Sequence, residues 1–340
     1  MSQNLLYSDL HLRTDRLGDQ GIILKAIGTA AVEHGVVKSG GRVINCGDLF
    51  NEKGYIRTSV WDVLVFHRLK WKEAGICHDD LIGNHDMEDR EGVIHPLKIF
   101  RQWEGWDVID QPRFIAEKNR WLFPYMHNLP GFLETIEKKK RKKLTVFCHV
   151  GIQGAWRNDK SKDTDGVPIE HFAGFKQVFT GHYHFRHAVQ NVQYIGSPMQ
   201  HTFAEMGQAK GYLIWDDVTN EVTFFEIEGT PRHLEAEVTW VGDKMAVHKP
   251  EGLTERDYVV VAIRGPSAKV KLVTREMLQE RMECHNIKID RLIDDETHSR
   301  LNIKHDETMD AVALAKKYVG FVNPALDHKR LLKVGKELLA

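Results

Sequence analysis

Five short polar clusters in the first 184 residues contain the side chains best suited to chemistry. Together they supply carboxylate, imidazole and amide oxygen without thiolate, a donor set that admits manganese, iron, zinc or magnesium. A single histidine or aspartate of this kind is usually a hydrogen-bonded loop residue, but an ordered set of five clusters indicates a metal site. In chain order the candidate residues are Asp9 and His11, then Asp48, then Asn84 and His85, then His149, and finally His182 and His184.

This donor set suits the hydrolysis of a phosphodiester, which is a poor electrophile because its anionic oxygens repel a nucleophile. Two metal ions overcome that repulsion by binding the oxygens and by deprotonating a water molecule. Asp9 and His11 lie two apart on an extended segment, so both side chains can point to the same ion. Asp48 has two carboxylate oxygens and can bridge two ions. The clusters therefore predict a dinuclear centre.

Hydrophobic runs come directly before four of the five clusters, at residues 5–7, 43–46, 144–147 and 177–179. Each cluster is therefore expected where a strand ends and a loop begins. In open α/β sheets this carboxyl edge is the edge that binds ligands.

The elements predict an α/β fold. Helical patterns at about 20–34 and 57–74 alternate with strand patterns at 42–46 and 76–82, which is typical of a parallel sheet with covering helices. From about residue 176 onward strand patterns follow one another with little helix between them. Both halves fit a two-layer mixed β-sheet sandwich flanked by helices.

The chain pattern changes near residue 230 and again near residue 306. We expect a first domain at 1–230, a small α/β capping domain at 231–305 and a C-terminal helical segment at 306–340. The last helix places Leu331, Val334 and Leu338 on one face. So short a helix is marginal alone in water, which predicts that it packs against a partner.

Composition excludes several classes of protein. A formal net charge of -1 over 340 residues excludes a globally basic protein, so nucleic acid would be attracted by local patches or by metals. The four cysteines show no C-x-x-C pair, which argues against structural zinc. No apolar run reaches membrane-spanning length and no secretory signal is visible, so a cytoplasmic location is expected.

A basic run at 138–143 closes a helical pattern that begins near Leu129.

The ordered pattern Asp-x-His, Gly-Asp, Gly-Asn-His-Asp, His, Gly-His-x-His resembles the calcineurin-like metallophosphoesterase superfamily, over roughly residues 4–227. Further segments resemble its DNA-repair nuclease branch, the Mre11 and SbcD proteins, and the short chain most resembles bacteriophage versions. These segments are residues 8–12, 47–50, 121–125, 194–198 and 210–212.

The resemblance implies a manganese-dependent DNA nuclease that works as a homodimer with a Rad50- or SbcC-like ATPase docked on its C-terminal helices. It implies that His85 protonates the leaving 3′ oxygen or steadies the transition state. The implied metal ligands are Asp9, His11 and His184 for one ion, Asn84, His149 and His182 for the other, and Asp48 as the bridge between them.

Two features leave alternatives open. Cellular members of this branch often carry a histidine shortly after the Gly-Asp pair, where this chain has Asn51, so the balance of exonuclease and endonuclease action is not determined. A phosphatase or cyclic-nucleotide phosphodiesterase is an alternative, although the arginine that follows Gly-Asp in related phosphatases is missing. A metal-free DNA-bridging scaffold is a further alternative, disfavoured because no ligand is missing. Among the other histidines, His201 lies in a loop that could approach the metals.

Overall fold

The computed structural model describes residues 2–158 and 160–293. The chain divides into two compact units, of which the first comprises the residues up to Leu234 together with Arg256–Tyr258. The second comprises Glu235–Glu255 and continues from Val259. The helical segment predicted at 306–340 lies outside the described residues, as does the end of the unit predicted at 231–305.

Two mixed six-stranded sheets form the first unit within the described residues. In spatial order the first sheet is β12-β11-β1-β2-β3-β4 and the second is β5-β6-β7-β8-β10-β9. The strands are β1 (Gln3–Tyr7), β2 (Val43–Asn45), β3 (His78–Leu81), β4 (Trp106–Ile109), β5 (Arg113–Ile115), β6 (Arg120–Leu122), β7 (Thr145–His149), β8 (Gln177–Gly181), β9 (His187–Val189), β10 (Val192–Tyr194), β11 (Gly211–Asp216) and β12 (Val222–Glu226).

The central strands of each sheet run parallel. Strands β1 to β4 are parallel neighbours, and β11 and β12 add an antiparallel edge. In the second sheet β6, β7, β8 and β10 are parallel, with antiparallel β5 and β9 at the two edges. Parallel strands collect their carboxyl ends at one edge of the sheet, which is the property that the predicted site requires.

The two sheets pack face to face. On β1 the side chains alternate, because Leu5 and Tyr7 join the core under the helices whereas Leu6 joins the core between the sheets. That inner core also takes Phe147 from the second sheet and Trp215 from the first. The α/β two-layer sandwich flanked by helices is thus confirmed. The helices of this unit are α1 (Leu17–Glu33), α2 (Thr58–Glu73), α3 (Leu129–Thr135) and α4 (Lys138–Arg141).

Two elements differ from the sequence prediction. The helix expected to run from Leu129 through the basic run is broken after Thr135, because Ile136 is extended. Arg141 in this run is buried, and its guanidinium donates to the carbonyls of Leu133 (2.6 Å) and Ile136 (3.1 Å). Residues 187–195 form one continuous strand-like run in the sequence, but in the structure they contain a hairpin of β9 and β10.

A buried polar network ties helix α2 to the strands that lead into the site. Arg68 is fully buried and donates to the Asp80 carboxylate (3.0 Å) and to the Tyr7 hydroxyl (3.2 Å). Asn45 donates to the same carboxylate oxygen (3.1 Å). Burial alone would raise the pKa of Asp80, but Arg68 holds it below its ordinary value. The network therefore links α2 to β1, β2 and β3 just before their polar clusters begin.

The second unit contains a four-stranded sheet in the order β14-β13-β15-β16. Its central strand alternates, with Val259, Val261 and Ile263 buried. The first hairpin, β13 with β14, had no counterpart in the sequence prediction. The elements are β13 (His233–Val241), β14 (Lys244–His248), β15 (Tyr258–Gly265), α5 (Ser267–Val270), α6 (Arg275–Met282) and β16 (Asn286–Ile293).

Candidate metal centre

The structure brings the eight predicted site residues to the carboxyl ends of five parallel strands. Three of these strands, β1, β2 and β3, are neighbours in the first sheet, and β7 and β8 are neighbours in the second. The two sheet edges meet at one place, so clusters far apart in sequence converge. Asp9 and His11 follow β1, Asp48 follows β2, Asn84 and His85 follow β3, His149 ends β7, and His182 and His184 follow β8.

One group of potential ligands consists of Asp9, His11 and His184. One ligand atom from each lies within 4.8 Å of the other two. The Nε2 atoms of His11 and His184 face each other at 3.1 Å. A cation shared by both lone pairs would satisfy these two ring nitrogens at once.

A second group consists of Asp48, His149 and His182, whose ligand atoms also lie within 4.8 Å of one another. Asn84 belongs with them, because its Oδ1 lies 3.1 Å from His149 Nε2 and 3.0 Å from His182 Nδ1. An octahedral ion with bonds of about 2.1 Å places neighbouring ligand atoms roughly 3 Å apart and opposite ones roughly 4 Å apart. The spacing of these atoms fits such an ion.

Asp48 lies between the two groups. Its Oδ2 is 3.3 Å from His149 Nε2 and 3.8 Å from His11 Nε2. Its Oδ1 accepts a hydrogen bond from the backbone N–H of His85 (2.8 Å), which fixes the orientation of the carboxylate. The carboxylate is thus placed to contact an ion in either group.

The backbone at the candidate ligands is in an unusual conformation. Asp9, His11, Asp48 and His182 all have positive φ, at 56°, 49°, 54° and 92°. Residues other than glycine seldom adopt this left-handed region, and a conformation of this kind costs on the order of 1–3 kcal/mol. Its occurrence at four candidate ligands indicates that the loops are shaped for function at the expense of local stability.

Two glycines in the motifs are required by close packing. A Cβ on Gly47, which has φ of 101°, would lie 2.3 Å from His149 Nδ1. A Cβ on Gly181 would lie 1.9 Å from Ser8 Oγ and 2.5 Å from the Cys46 carbonyl oxygen. The Gly-Asp and Gly-His pairs therefore reflect the space available where the two sheet edges meet.

The site is buried and its charges interact strongly. Burial lowers the pKa of His11 to about 3 and that of His182 to about 4, so both rings are neutral near neutral pH, as metal ligation requires. Burial disfavours the charged form of His149, but the Asp48 carboxylate outweighs burial and raises its pKa to about 9. The same contact holds the pKa of Asp48 below its ordinary value, against the effect of burial.

His85 differs from the other imidazoles in its contacts. Its Nδ1 lies 2.9 Å from the backbone carbonyl of Asn51 and so carries the proton of that hydrogen bond, which leaves Nε2 available. Its ring lies edge-on to that of His11 at 4.8 Å between centroids. An Nε2 ligand atom would also fit a third group with His11 and Asp48. Asn51 thus positions His85 through its main chain.

Sequence reasoning missed two residues that support His184. The Glu205 carboxylate lies 3.0 Å from His184 Nδ1 and 2.7 Å from the ammonium of Lys210. Lys210 also donates to the His184 carbonyl (2.7 Å). Glu205 ends a short 3-10 helix (Phe203–Glu205) and gave no signal in the sequence, whereas Lys210 lies in a segment that carried the family resemblance.

His201 and Asp86 also lie beside the centre. The His201 loop does approach it, and the ring lies 4.9 Å from that of His184. Its Nε2 is 2.9 Å from the Asp9 carbonyl oxygen, a contact that positions the Asp9 loop. Asp86 accepts the backbone N–H groups of Phe50 and Gly83, both at 2.9 Å. Burial and the nearby Asp48 raise the pKa of Asp86 to about 7.

The contact between Glu205 and His184 leads to a prediction. We expect Glu205→Gln to weaken Mn²⁺ binding by about 10- to 100-fold, because the carboxylate orients the ring and raises its basicity. Titration calorimetry with Mn²⁺ measures the affinity. Glu137→Gln is the control, since that glutamate forms an exposed ion pair with Lys140. Equal affinities for the Glu205 variant and the unaltered protein would contradict the supporting role.

No helix among the described residues is long and apolar enough to cross a membrane.

Comparison with known proteins points to nucleases. The chain is 22% identical over 299 residues to "Exonuclease subunit 1" of Enterobacteria phage T4, a match that spans 84% of this chain and 83% of that protein. It is 30% identical over 114 residues to the SbcD component of the nuclease SbcCD from Staphylococcus epidermidis, which covers 31% of this chain and 30% of that one. No family model matches the chain.

A solved structure described as a novel archaeal phosphodiesterase aligns with 66% of this chain and 99% of its own, at 13% identity and a TM-score of 0.34. A score of that size supports no argument about fold or activity.

Proposed function

We propose that this chain, a metallophosphoesterase of the Mre11/SbcD type, is a metal-dependent nuclease that hydrolyses the phosphodiester bonds of DNA. The observation on which the proposal rests is the convergence of two ligand groups on Asp48, built from loops of both sheets. Similarity to the phage T4 exonuclease subunit over most of both chains supports it.

The finer proposal is a centre for two ions, most simply Mn²⁺, with Mg²⁺, Fe²⁺ and Zn²⁺ also compatible with the donor set. When bound, such ions bind phosphoryl oxygens and lower the pKa of a water molecule. The His11 and His182 rings are neutral and Asp48 is ionised near neutral pH, whereas the His149 ring, whose pKa Asp48 raises, gives up a proton when it binds an ion. The proposed ligands are Asp9, His11 and His184 for one ion, Asn84, His149 and His182 for the other, and Asp48 between them.

We propose that His85 protonates the 3′ oxygen of the leaving strand. The Asn51 carbonyl holds Nδ1–H, so the proton to be delivered is bound at Nε2, on the other side of the ring. The backbone N–H of His85 donates a hydrogen bond to the Asp48 carboxylate, which ties this residue to the candidate bridging ligand. Its role is then to deliver a proton rather than to bind metal.

The phosphatase alternative has less support. Related phosphatases carry Asp-Arg-Gly just after the Gly-Asp pair, and that arginine grips the phosphate, whereas Leu49, Phe50 and Asn51 occupy this segment here. The Leu49 and Phe50 side chains are fully buried in the core under the helices. This segment therefore presents no cation to a terminal phosphate.

One experiment separates these functions. The purified full-length protein is incubated with end-labelled single-stranded and duplex DNA in Mn²⁺ or Mg²⁺, beside p-nitrophenyl phosphate and cyclic AMP. We expect cleavage of DNA, dependent on the metal and abolished by EDTA. Efficient hydrolysis of the phosphomonoester or the cyclic nucleotide without cleavage of DNA would contradict the nuclease assignment. The labelled products also report whether cleavage begins at ends or internally.

We further propose that the chain is homodimeric and docks on a Rad50- or SbcC-like ATPase. Both similar proteins are named as subunits, which supports an assembly. The apolar positions Leu331, Val334 and Leu338 in the sequence motivate docking through the C-terminal segment.

Deleting residues 306–340 is expected to abolish co-purification with the ATPase and to leave Mn²⁺-dependent cleavage of single-stranded DNA within about two-fold of the full chain. The reason is that the candidate centre is built entirely from residues 9–184. Pull-down measures the first outcome and a cleavage assay the second. Normal partner binding by the truncated chain, or its unfolding, would count against this role for the segment.

A further inference from the structure

Two cavities lie on either side of a ridge formed by His182, Tyr183 and Arg157. The smaller has a volume of about 240 Å³ and the larger about 370 Å³. The larger cavity is also lined by Tyr125 and His127. Because His182 is a candidate ligand and lines this cavity, the cavity adjoins the candidate metal centre.

The aromatic wall of the larger cavity is Tyr125. Its ring lies 6.5 Å from that of His182, with 28° between the planes, and edge-on to His127 at 5.4 Å. A hydrogen bond from its backbone N–H to the Ile82 carbonyl (2.7 Å) holds it in place. Aromatic rings beside a phosphate path are stacking surfaces for nucleic-acid bases.

The cationic wall is Arg157. Its side chain is 44% exposed and its guanidinium donates to the Asp163 carboxylate at 2.6 Å. Asp163 is itself fixed, because it accepts the Tyr183 hydroxyl and the backbone N–H groups of Asp165 and Gly166. A guanidinium has five N–H donors, so an anchored Arg157 retains donors for a phosphate.

The charge around Arg157 permits an anion to bind. The Asp163 charge is shared among four donors, and Asp165, at 3.7 Å from the guanidinium, is 86% exposed and well screened by water. The same loop carries Lys160 and Lys162, and the Lys162 ammonium lies 4.6 Å from the centre of the Trp156 ring. Arg157 is thus the cation that this loop contributes to the cavity lining.

We propose that the larger cavity is a subsite for the nucleotide next to the scissile phosphate, with its base stacked on Tyr125 and its phosphate bound by Arg157. Asp163 is the positioning residue that ties Arg157 to Tyr183. This inference rests on the proposed function and names where the DNA strand lies beyond the metals. A small phosphodiester without flanking nucleotides lacks the second phosphate that Arg157 would bind, which separates the two claims experimentally.

The test compares Arg157→Gln and Arg157→Lys with the unaltered full-length protein in Mn²⁺, on a single-stranded oligonucleotide and on bis(p-nitrophenyl) phosphate. We expect the glutamine variant to raise KM for DNA at least about 10-fold more than KM for the small diester. Loss of one phosphate contact should reduce the slope of log KM against log salt by about 0.7, whereas lysine should restore that slope. Arg113→Gln is the control, because Arg113 pairs with Asp107, is 46% exposed and borders neither cavity.

Tyr125 provides an independent arm. Tyr125→Ala should raise KM for DNA by about 5- to 100-fold, the range for one stacked base, and Tyr125→Phe should restore it because the ring is retained. A phenylalanine variant as defective as the alanine variant would overturn the stacking role. Trinucleotides that carry an abasic residue at each position in turn identify the stacked base. When the abasic residue replaces that base, Tyr125→Ala and the unaltered protein should have the same KM.

The outcomes are distinguishable. Equal losses on both substrates would show that Arg157 and Tyr125 only support the metal centre, and unchanged KM and salt slope would show that DNA does not reach them; either result overturns the subsite. If the unaltered protein hydrolyses the small diester but not DNA, the proposed function fails and the subsite fails with it.

Discussion

Asp48→Asn is expected to abolish DNA hydrolysis and to reduce bound metal below two ions per chain. The amide can keep the hydrogen bond from His85 N–H through its oxygen, which occupies the Oδ1 position. The other atom then becomes an NH₂ group 3.3 Å from His149 Nε2, where it presents protons instead of lone pairs. Both ions lose the shared negative charge, so both should bind more weakly.

Metal stoichiometry is measured by elemental analysis after gel filtration in Mn²⁺, and hydrolysis by release of labelled nucleotides. Asp107→Asn serves as the control, because Asp107 forms an ion pair with Arg42, which precedes β2 and so lies at the opposite end of the strands. Circular dichroism establishes that both variants fold. Full activity with two ions retained would refute the bridging role of Asp48.

His85→Ala should keep both ions and lower kcat by about 10²- to 10⁴-fold, the range for general acid–base catalysis. The Asn51 carbonyl bond occupies one ring nitrogen, which leaves the other to serve the leaving oxygen. With bis(p-nitrophenyl) phosphate the leaving group is stable as an anion and needs little protonation. The loss should therefore be much smaller on that substrate than on DNA.

The same metal analysis decides between this role and metal binding by His85. Loss of an ion in the alanine variant would make His85 a ligand, as its distance to His11 and Asp48 would also allow. His171→Ala is the control, since that histidine lies on a 3-10 helix (Ile169–Phe172) beside Glu134. An equal loss of rate on both substrates would argue against proton delivery to the leaving group.

The positions of most strands of the first unit along the chain, and of the polar clusters that follow them, were predictable from the sequence. A strand with two buried faces reads as an apolar run, and a polar cluster directly after such a run must lie at the carboxyl edge. Helices α1 and α2 were predicted within a few residues, because their periodicity is local. Asp9, Asp48 and His149 could therefore be placed at the carboxyl ends of strands.

Only the tertiary structure placed Glu205 behind His184, and Arg157 and Tyr125 across one cavity. These contacts join loops whose conformations depend on packing, so the periodicity of apolar residues in the sequence does not predict them. The break after Thr135 is likewise accompanied by a tertiary contact, since the buried guanidinium of Arg141 donates to the carbonyls of Leu133 and Ile136. Local apolar runs and the polar residues directly after them indicated the strands and their carboxyl ends. The partner of each loop side chain was decided by the close approach of two sheet edges, which has no signature in a single segment of sequence.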